Sequence, residues 1–464
     1  MFLVNILLTI FIFIYILLNI LWVLFDPFYG SFQYSYIIDI SDISIRFGVD
    51  SISFFFIYLT SLLIPLCLLF TAISKTTTSN KNSNAFLIFF IGSLLLIVFY
   101  SLDLLLFYIS FEAILIPFFL YIGVAGYRVR RIHAAYLFFF YTLVGSFFTL
   151  VSIFFIFLET GSTDIEILFN AELGNNKSYL LWFALFITFA IKIPMFPFHI
   201  WLPEAHVEAP TEGSVLLAGL LLKLGTYGFL RFLFPLFEYL NYYFSPFVIM
   251  IASIGIIYTS FSTLRQIDIK RIIAYSSIAH MNMCMVGLFC FNDMAFIGSI
   301  FLMIGHGIVS GGLFFIIGMI YNRFQTKIIH YFNGVIYYMP IMSFFFLMFI
   351  LGNIGMPGTS NFIGELLILN GIVYTDYFSG LIASIIGIFL CTVYSMWMYN
   401  KIIFLLPKYY YTIITDLFIF EIIILTPLVI YMIILGITPD IINDYLVCSV
   451  NYNFLEQFTL NNKI

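Results

Sequence analysis

A bilayer core takes about 20 apolar residues of helix, and this 464-residue chain is almost entirely made of such runs, about thirteen of them. Their limits are 2–25, 51–73, 85–101, 104–124, 132–158, 179–200, 211–235, 245–265, 270–290, 294–321, 338–374, 379–405 and 416–437. The runs are continuous, without apolar/polar alternation, which excludes a β-barrel and leaves an all-α polytopic transmembrane fold. The connections are short, so residues 1–464 form a single membrane domain with no room for a soluble one.

Composition agrees. Only 9% of residues are charged against about 25% in soluble domains, and 63% are hydrophobic, with a mean hydropathy of +1.11. The net charge of −5 is spread out with no basic stripe, which excludes nucleic acid as a partner. Cys67, Cys284, Cys290, Cys391 and Cys448 have no metal-ligand spacing, so neither a metal nor any other cofactor is expected in this chain. The first run lacks the basic flank and cleavage site of a signal peptide, and no Arg-rich presequence precedes it. The load of Phe, Ile, Tyr and Asn is what an AT-rich genome favours, which points to an organelle-encoded protein.

Basic residues set the orientation. Lys75, Lys81, Arg128, Arg130, Arg131, Arg265, Lys270, Arg271, Arg323, Lys327, Lys401 and Lys408 fall at one face, and Arg46, Lys177, Arg231 and Lys463 at the other. The bias puts the N-terminus inside (matrix or cytoplasm) and the C-terminus outside. The run RQIDIKR (Arg265–Arg271) is expected to be a solvated inner loop that anchors this topology.

Glu112, Lys192, Lys223 and Glu365 break the apolar pattern. Each costs roughly 2.5–3.5 kcal/mol if left unpaired at the centre of a bilayer helix, so each should face protein or a hydrated path. Two acids and two lysines suit groups that pass protons, or that hold one another's charge while protons pass. Structural hydrogen bonds and ion pairs are the competing account. His306 is mid-run and could relay between Lys223 and Glu365, or be a satisfied core histidine. His199, His206 and His280 are read as lying near span ends, where a structural role leads and a relay role is second. Glu204, Glu208 and Glu212 read as loop or helix-start acids.

Two spans are broken. Ile193–Pro203 (IPMFPFHIWLP) interrupts the helix carrying Lys192, and Gly352–Gly364 (GNIGMPGTSNFIG) the helix carrying Glu365. A proline removes a backbone donor and crowds the preceding turn, and in lipid such breaks survive only where protein or a cavity satisfies the freed groups. Interrupted helices in corresponding positions of two halves are the mark of a transporter repeat.

The stretch AIKIPMFPFHIWLPEAHVEAPTEGSVLLAGLLLKLGTYGFLRF (Ala190–Phe232) resembles the antiporter-like membrane-arm subunits of NADH:ubiquinone oxidoreductase, respiratory complex I. LLLFYISFEAILIP, YLFFFYTLVGS, LRQIDIKRIIAYSSIAHMN, GHGIVSGGLFF and MPGTSNFIGELLIL extend the likeness from about Asp50 to Tyr399. The resemblance implies two inverted five-helix repeats, placed at 85–235 and 245–405, followed by a C-terminal span and tail at 416–464. By motif, Glu112 takes the place of the entrance-side glutamate and Lys192 that of its paired lysine. Lys223 matches the central lysine, His306 the histidine beyond it, and Glu365 the exit-side glutamate. The implied partners are other membrane-arm subunits, especially neighbouring antiporter-like ones, and membrane lipids. NADH and quinone chemistry would belong to other subunits. Two departures stand out: the first span aligns with the family's second, and Glu212 sits where a small residue is usual. No long lateral helix follows the last span, unlike the largest member of the family.

The expected function is proton translocation in the mitochondrial inner membrane. A free-standing cation/proton antiporter subunit and a structural spacer with vestigial charges are the alternatives.

Overall fold

Helices close every backbone hydrogen bond within their own segment, as an apolar solvent demands. The computed structural model, which describes residues 2–40, 43–73, 78–126, 129–169, 174–406 and 415–450, is helical almost throughout. In chain order, α1 (Phe2–Leu24) leads to a hairpin of β1 (Gln33–Ile40) and β2 (Ile43–Val49), then α2 (Ser51–Ile73), α3 (Thr78–Tyr100), α4 (Leu104–Ala113), α5 (Leu115–Ala125) and α6 (Arg131–Thr160). A short α7 (Ile165–Leu168) precedes α8 (Asn175–Lys192) and α9 (Trp201–Glu208). The central helix then runs through α10 (Thr211–Leu216), a π-helical turn, α11 (Leu222–Gly228), a second π-helical turn and α12 (Phe234–Leu236). Last come α13 (Glu238–Thr263), α14 (Ile269–Leu288), α15 (Asp293–Phe324), α16 (Pro340–Ile354), α17 (Ser360–Tyr374), α18 (Phe378–Ile403), α19 (Ile419–Ile437) and α20 (Asp440–Val450).

Among the described residues, ten helices are long and apolar enough to cross a bilayer, counting α4 with α5 and α10 through α12 as one each. The other three expected spans differ in kind. Two are the broken pairs α8/α9 and α16/α17. The third is α14, whose polar residues Lys270, Arg271, His280 and Asn282 lower its hydropathy.

The hairpin was not anticipated. Alternating aromatic and β-branched residues pair Tyr36 with Phe47 and Ile38 with Ile45, a pattern suited to a pleated surface. Arg46 ties it to the start of the short helix α7 through its cap Asp164 (2.6 Å) and Glu166 (2.7 Å).

The central helix and α15 are buried along their whole apolar windows, and α2 nearly so, as expected of helices hydrophobic on all sides. Around them α1, α6, α13 and α18 present Phe13, Phe147, Met250 and Phe389 outward. Several bases expected at a surface are instead inside. Lys81, Lys270, Lys327 and Arg231 are all at most 9% exposed. Each finds a partner there: Lys81 donates to Ala72 O at 2.7 Å, and Arg231 pairs with Asp50 at 2.6 Å. Lys75, Arg128, Lys408 and Lys463 lie outside the described residues.

Candidate functional site

Both breaks occur where the sequence puts them, and each has a visible cause. α8 stops at Lys192, two residues before Pro194, and α9 resumes at Trp201. The indole of Trp201 donates to Ile191 O (3.0 Å) and Met195 N–H to Ala190 O (2.9 Å), so carbonyls freed by the prolines are not left bare. α16 ends at Ile354 because Gly355 turns left-handed (φ 73°), and α17 begins at Ser360.

Lys192 is thereby the last residue of a half-helix, 2% exposed, with Nζ 4.1 Å from the centre of the Phe111 ring. Its Nζ has no hydrogen-bond partner, and neither has the buried Oε1 of Glu112. The two charges act on one another across this gap without a direct bond. Glu112 sits at a discontinuity that the sequence reading missed, since its span is divided at Ile114 into α4 and α5. Pro117 explains it: the ring has no N–H for Ala113 O and crowds that carbonyl.

Lys223 lies in α11, flanked by the π-helical turns Leu217–Leu221 and Phe229–Leu233. Its Nζ donates to Ala218 O (2.6 Å), a carbonyl of the first π turn, and is 2.9 Å from His306 Nδ1. π-bulges recur at functional sites, where they re-aim backbone groups. The His306 ring is 5.6 Å, centre to centre, from that of His280. His280 Nδ1 is 3.5 Å from Glu365 Oε1, and Glu365 lies in the first turns of α17 against Gly355. Lys223, His306, His280 and Glu365 thus form one buried succession, each 0–5% exposed. Lys192 is not hydrogen-bonded to it, but its Cβ lies beside Gly225, two residues beyond Lys223.

Two expectations need correction. His280 is in the middle of α14 (Ile269–Leu288), not near a span end. The RQIDIKR segment is not a solvated loop throughout: Lys270 is fully buried, donating to Ala209 O (2.9 Å) and Ser214 Oγ (3.1 Å). Lys327 likewise donates to Val207 O (2.6 Å), so two ammonium groups meet the carbonyl end of α9, the negative end of its dipole. Of the three acids read as loop or helix-start groups, Glu204 and Glu212 do stand in the first turns of α9 and α10, whereas Glu208 ends α9. Glu204 is partly exposed and paired with Arg271 (2.7 Å), and Glu208 and Glu212 are buried. Glu212 accepts from Thr211 (3.1 Å) and Tyr121 (3.4 Å).

His206 is fully buried, stacked on Phe314 at 4.7 Å, with both ring nitrogens unpartnered and Lys223 and Lys270 within electrostatic reach. His199 lies in the first break between Phe196 and Tyr258, away from the Lys223–Glu365 succession. Sequence reasoning gave no site role to Asn353, Ser360, Asn361 and Cys391. Cys391 Sγ stands 3.7 Å from His280 Nε2 and donates to Asn353 O (3.3 Å), while Ser360 and Asn361 abut Gly305 next to His306. Three of these four lie within the Gly352–Gly364 motif, where polar residues beside a break were the available signal.

A family model described as NADH:quinone oxidoreductase/Mrp antiporter, membrane part, matches residues 101–391. The chain belongs to this family. It is 46% identical over 435 residues to NADH-ubiquinone oxidoreductase chain 4 of Marchantia polymorpha, covering 93% of this chain and 87% of the relative. Against the chain 4 of Acanthamoeba castellanii it is 50% identical over 365 residues, 78% of this chain and 73% of that one. Among solved structures, respiratory complex I from Thermus thermophilus contains a chain that superposes with a TM-score of 0.86 at 25% identity, covering 94% and 91% of the two chains. The Mrp complex from Dietzia sp. DQ12-45-1b gives 0.85 at 16% identity, covering 99% and 94%, a likeness of fold.

Proposed function

We propose that this chain is a proton-translocating, antiporter-like membrane-arm subunit of respiratory complex I, with electron transfer from NADH to ubiquinone carried out by other subunits. The observation that carries the reading is the buried succession Lys223–His306–His280–Glu365, bordered by a half-helix end bearing Lys192. Protons would enter near Glu112 and Lys192, cross by Lys223 and the two histidines, and leave near Glu365. A change in the Glu112–Lys192 separation alters the field at Lys223, and such coupling is strong where little water screens it. Buried polar atoms of Glu112, Lys192, His306, Asn361 and Glu365 that make no hydrogen bond to protein suit a route that water completes.

The two broken helices would belong to inverted repeats at 85–235 and 245–405, followed by the C-terminal part at 416–464. Neighbouring antiporter-like subunits are the proposed partners, and no metal or other cofactor is assigned to this chain. The membrane is taken to be the mitochondrial inner membrane, with the N-terminus in the matrix and the C-terminus in the intermembrane space.

The test is Lys223→Ala in the assembled complex. Proton transport and coupled quinone reduction should both fall; transport at the wild-type rate would refute the reading. Sodium-dependent exchange by the chain apart from electron transfer would favour a free-standing antiporter instead.

A further inference from the structure

A cavity of about 250 Å³ lies between α1, α2, α15, α19 and α20, lined by twelve apolar or aromatic residues and by no charged one. Eight of the twelve are buried, among them Leu59, Ile308 and Ile442, whereas Ile434 is 41% exposed. The cavity therefore runs from the outer, lipid-directed side of α19 inward. Its depth follows from the helices. Tyr58 is seven residues past the start of α2 and Tyr431 six residues before the end of α19, which puts both about 10 Å below the helix ends.

The walls restrict what can enter. Of the lining residues only Trp22, Tyr58 and Tyr431 carry a polar side-chain atom, and the two hydroxyls are already 2.6 Å from one another and both hydrogen-bonded to Tyr15. Water has little to hold it there, and apolar cavities of this kind stay dry. A helix of another chain, about 10–12 Å across with its side chains, is too wide for it. A flexible hydrocarbon chain is not: an apolar cavity of about 150 Å³ already takes benzene, and this one is larger. Between lipid and protein no hydrophobic gain is available, so the attraction is the contact that cavity walls lack while nothing fills them.

We propose that this cavity is a binding site for one acyl chain of a membrane lipid. The assignment does not depend on the charges of the chain, but its inner wall adjoins the turn of α15 that carries His306. Ile304 and Ile308 stand two residues to either side of His306, and Leu59 packs against Gly307. A chain in the site braces Leu59 against the turn that holds His306 beside Lys223.

The test uses the intact complex reconstituted in phosphatidylcholine brominated at mid-chain, imaged at a resolution that locates bromine. Bromine signal is expected inside the cavity, and it should be lost in Leu62→Trp, which fills the site, while the signal around the outer helix surface is retained. Should that variant not assemble, Ile434→Trp at the exposed mouth serves the same purpose. The proposal fails if the wild-type cavity carries no bromine signal, if the signal survives in a blocked variant, or if the cavity holds a protein side chain or a chain that brominated lipid does not replace, such as an isoprenoid tail.

Discussion

Lys223 Nζ and His306 Nδ1 stand 2.9 Å apart at the centre of the molecule, with Ala218 O 2.6 Å from the same nitrogen. A protonated lysine donates to both, which leaves the proton of a neutral His306 on Nε2, the side not bonded to Lys223. This geometry distinguishes charge from proton exchange. Lys223→Arg keeps a cation, yet a guanidinium does not give up its proton in a protein. It should assemble and still lose proton transport by on the order of 10²-fold, the lower end of what a positioned acid–base group contributes. Proton-pumping rates in reconstituted vesicles decide the matter, and near-normal pumping by the arginine variant would mean that only the charge matters.

Asp50 and Arg231 form the buried counterpart at the far end of the central helix, 2.6 Å apart and each at most 5% exposed. Asp50 also accepts from Ser53 N–H at the start of α2 (2.9 Å), and the guanidinium lies over Phe32 (4.9 Å). Removing one partner strands a buried charge, so Asp50→Ala should destabilise by about 3–5 kcal/mol. Asp50→Ala together with Arg231→Met should recover much of that loss. A double-mutant cycle on the thermal midpoint of the purified complex measures the coupling, and additive losses would show that the two groups act separately.

Lys270 and Lys327 should matter through α9. Each makes at least one hydrogen bond from a charged group to the carbonyl end of that half-helix, worth about 1.5–3 kcal/mol. Lys327→Met is expected to lower the thermal midpoint and to open the 201–208 backbone to hydrogen exchange. Lys327→Arg should retain most of the protection. Unchanged exchange in α9 of the methionine variant would contradict the assignment.

How much of this was legible in the sequence depends on whether a residue type forces the geometry. The breaks at 193–200 and 355–359 could be read because a proline cluster in the first, and Pro357 among several glycines in the second, oppose continuation of a helix. Single prolines were poorer guides: α2, α13 and α19 run through Pro65, Pro246 and Pro427, while Pro117 divides α4 from α5 beside Glu112. The π turns around Lys223 left no mark, since LAGLL and FLRFL are ordinary apolar sequence and their register is set by packing, such as Leu63 against Gly219. Burial of Lys270 and Lys327 was hidden for a similar reason. Their partners include backbone carbonyls at the end of a distant half-helix, and carbonyls have no signature in a sequence. The hairpin at 33–49 did have one, in its alternating Tyr and Ile, but it is short beside the apolar runs.

Gly355 and Gly358 allow a sharper test of the second break, because both have positive φ (73° and 90°) but different surroundings. A Cβ on Gly355 runs into the carboxylate of Glu365, whereas a Cβ on Gly358 meets nothing within 4 Å. Alanine at either position carries the left-handed backbone cost of roughly 1–2 kcal/mol, so the two variants should lose similar stability from strain. Only Gly355→Ala also has to push Glu365 from its place, 3.5 Å from His280. Proton transport per assembled complex should therefore fall well below wild type in Gly355→Ala and stay close to it in Gly358→Ala. Equal transport in the two variants, at matched assembly, would separate the position of Glu365 from the rate and remove the last step of the proposed route.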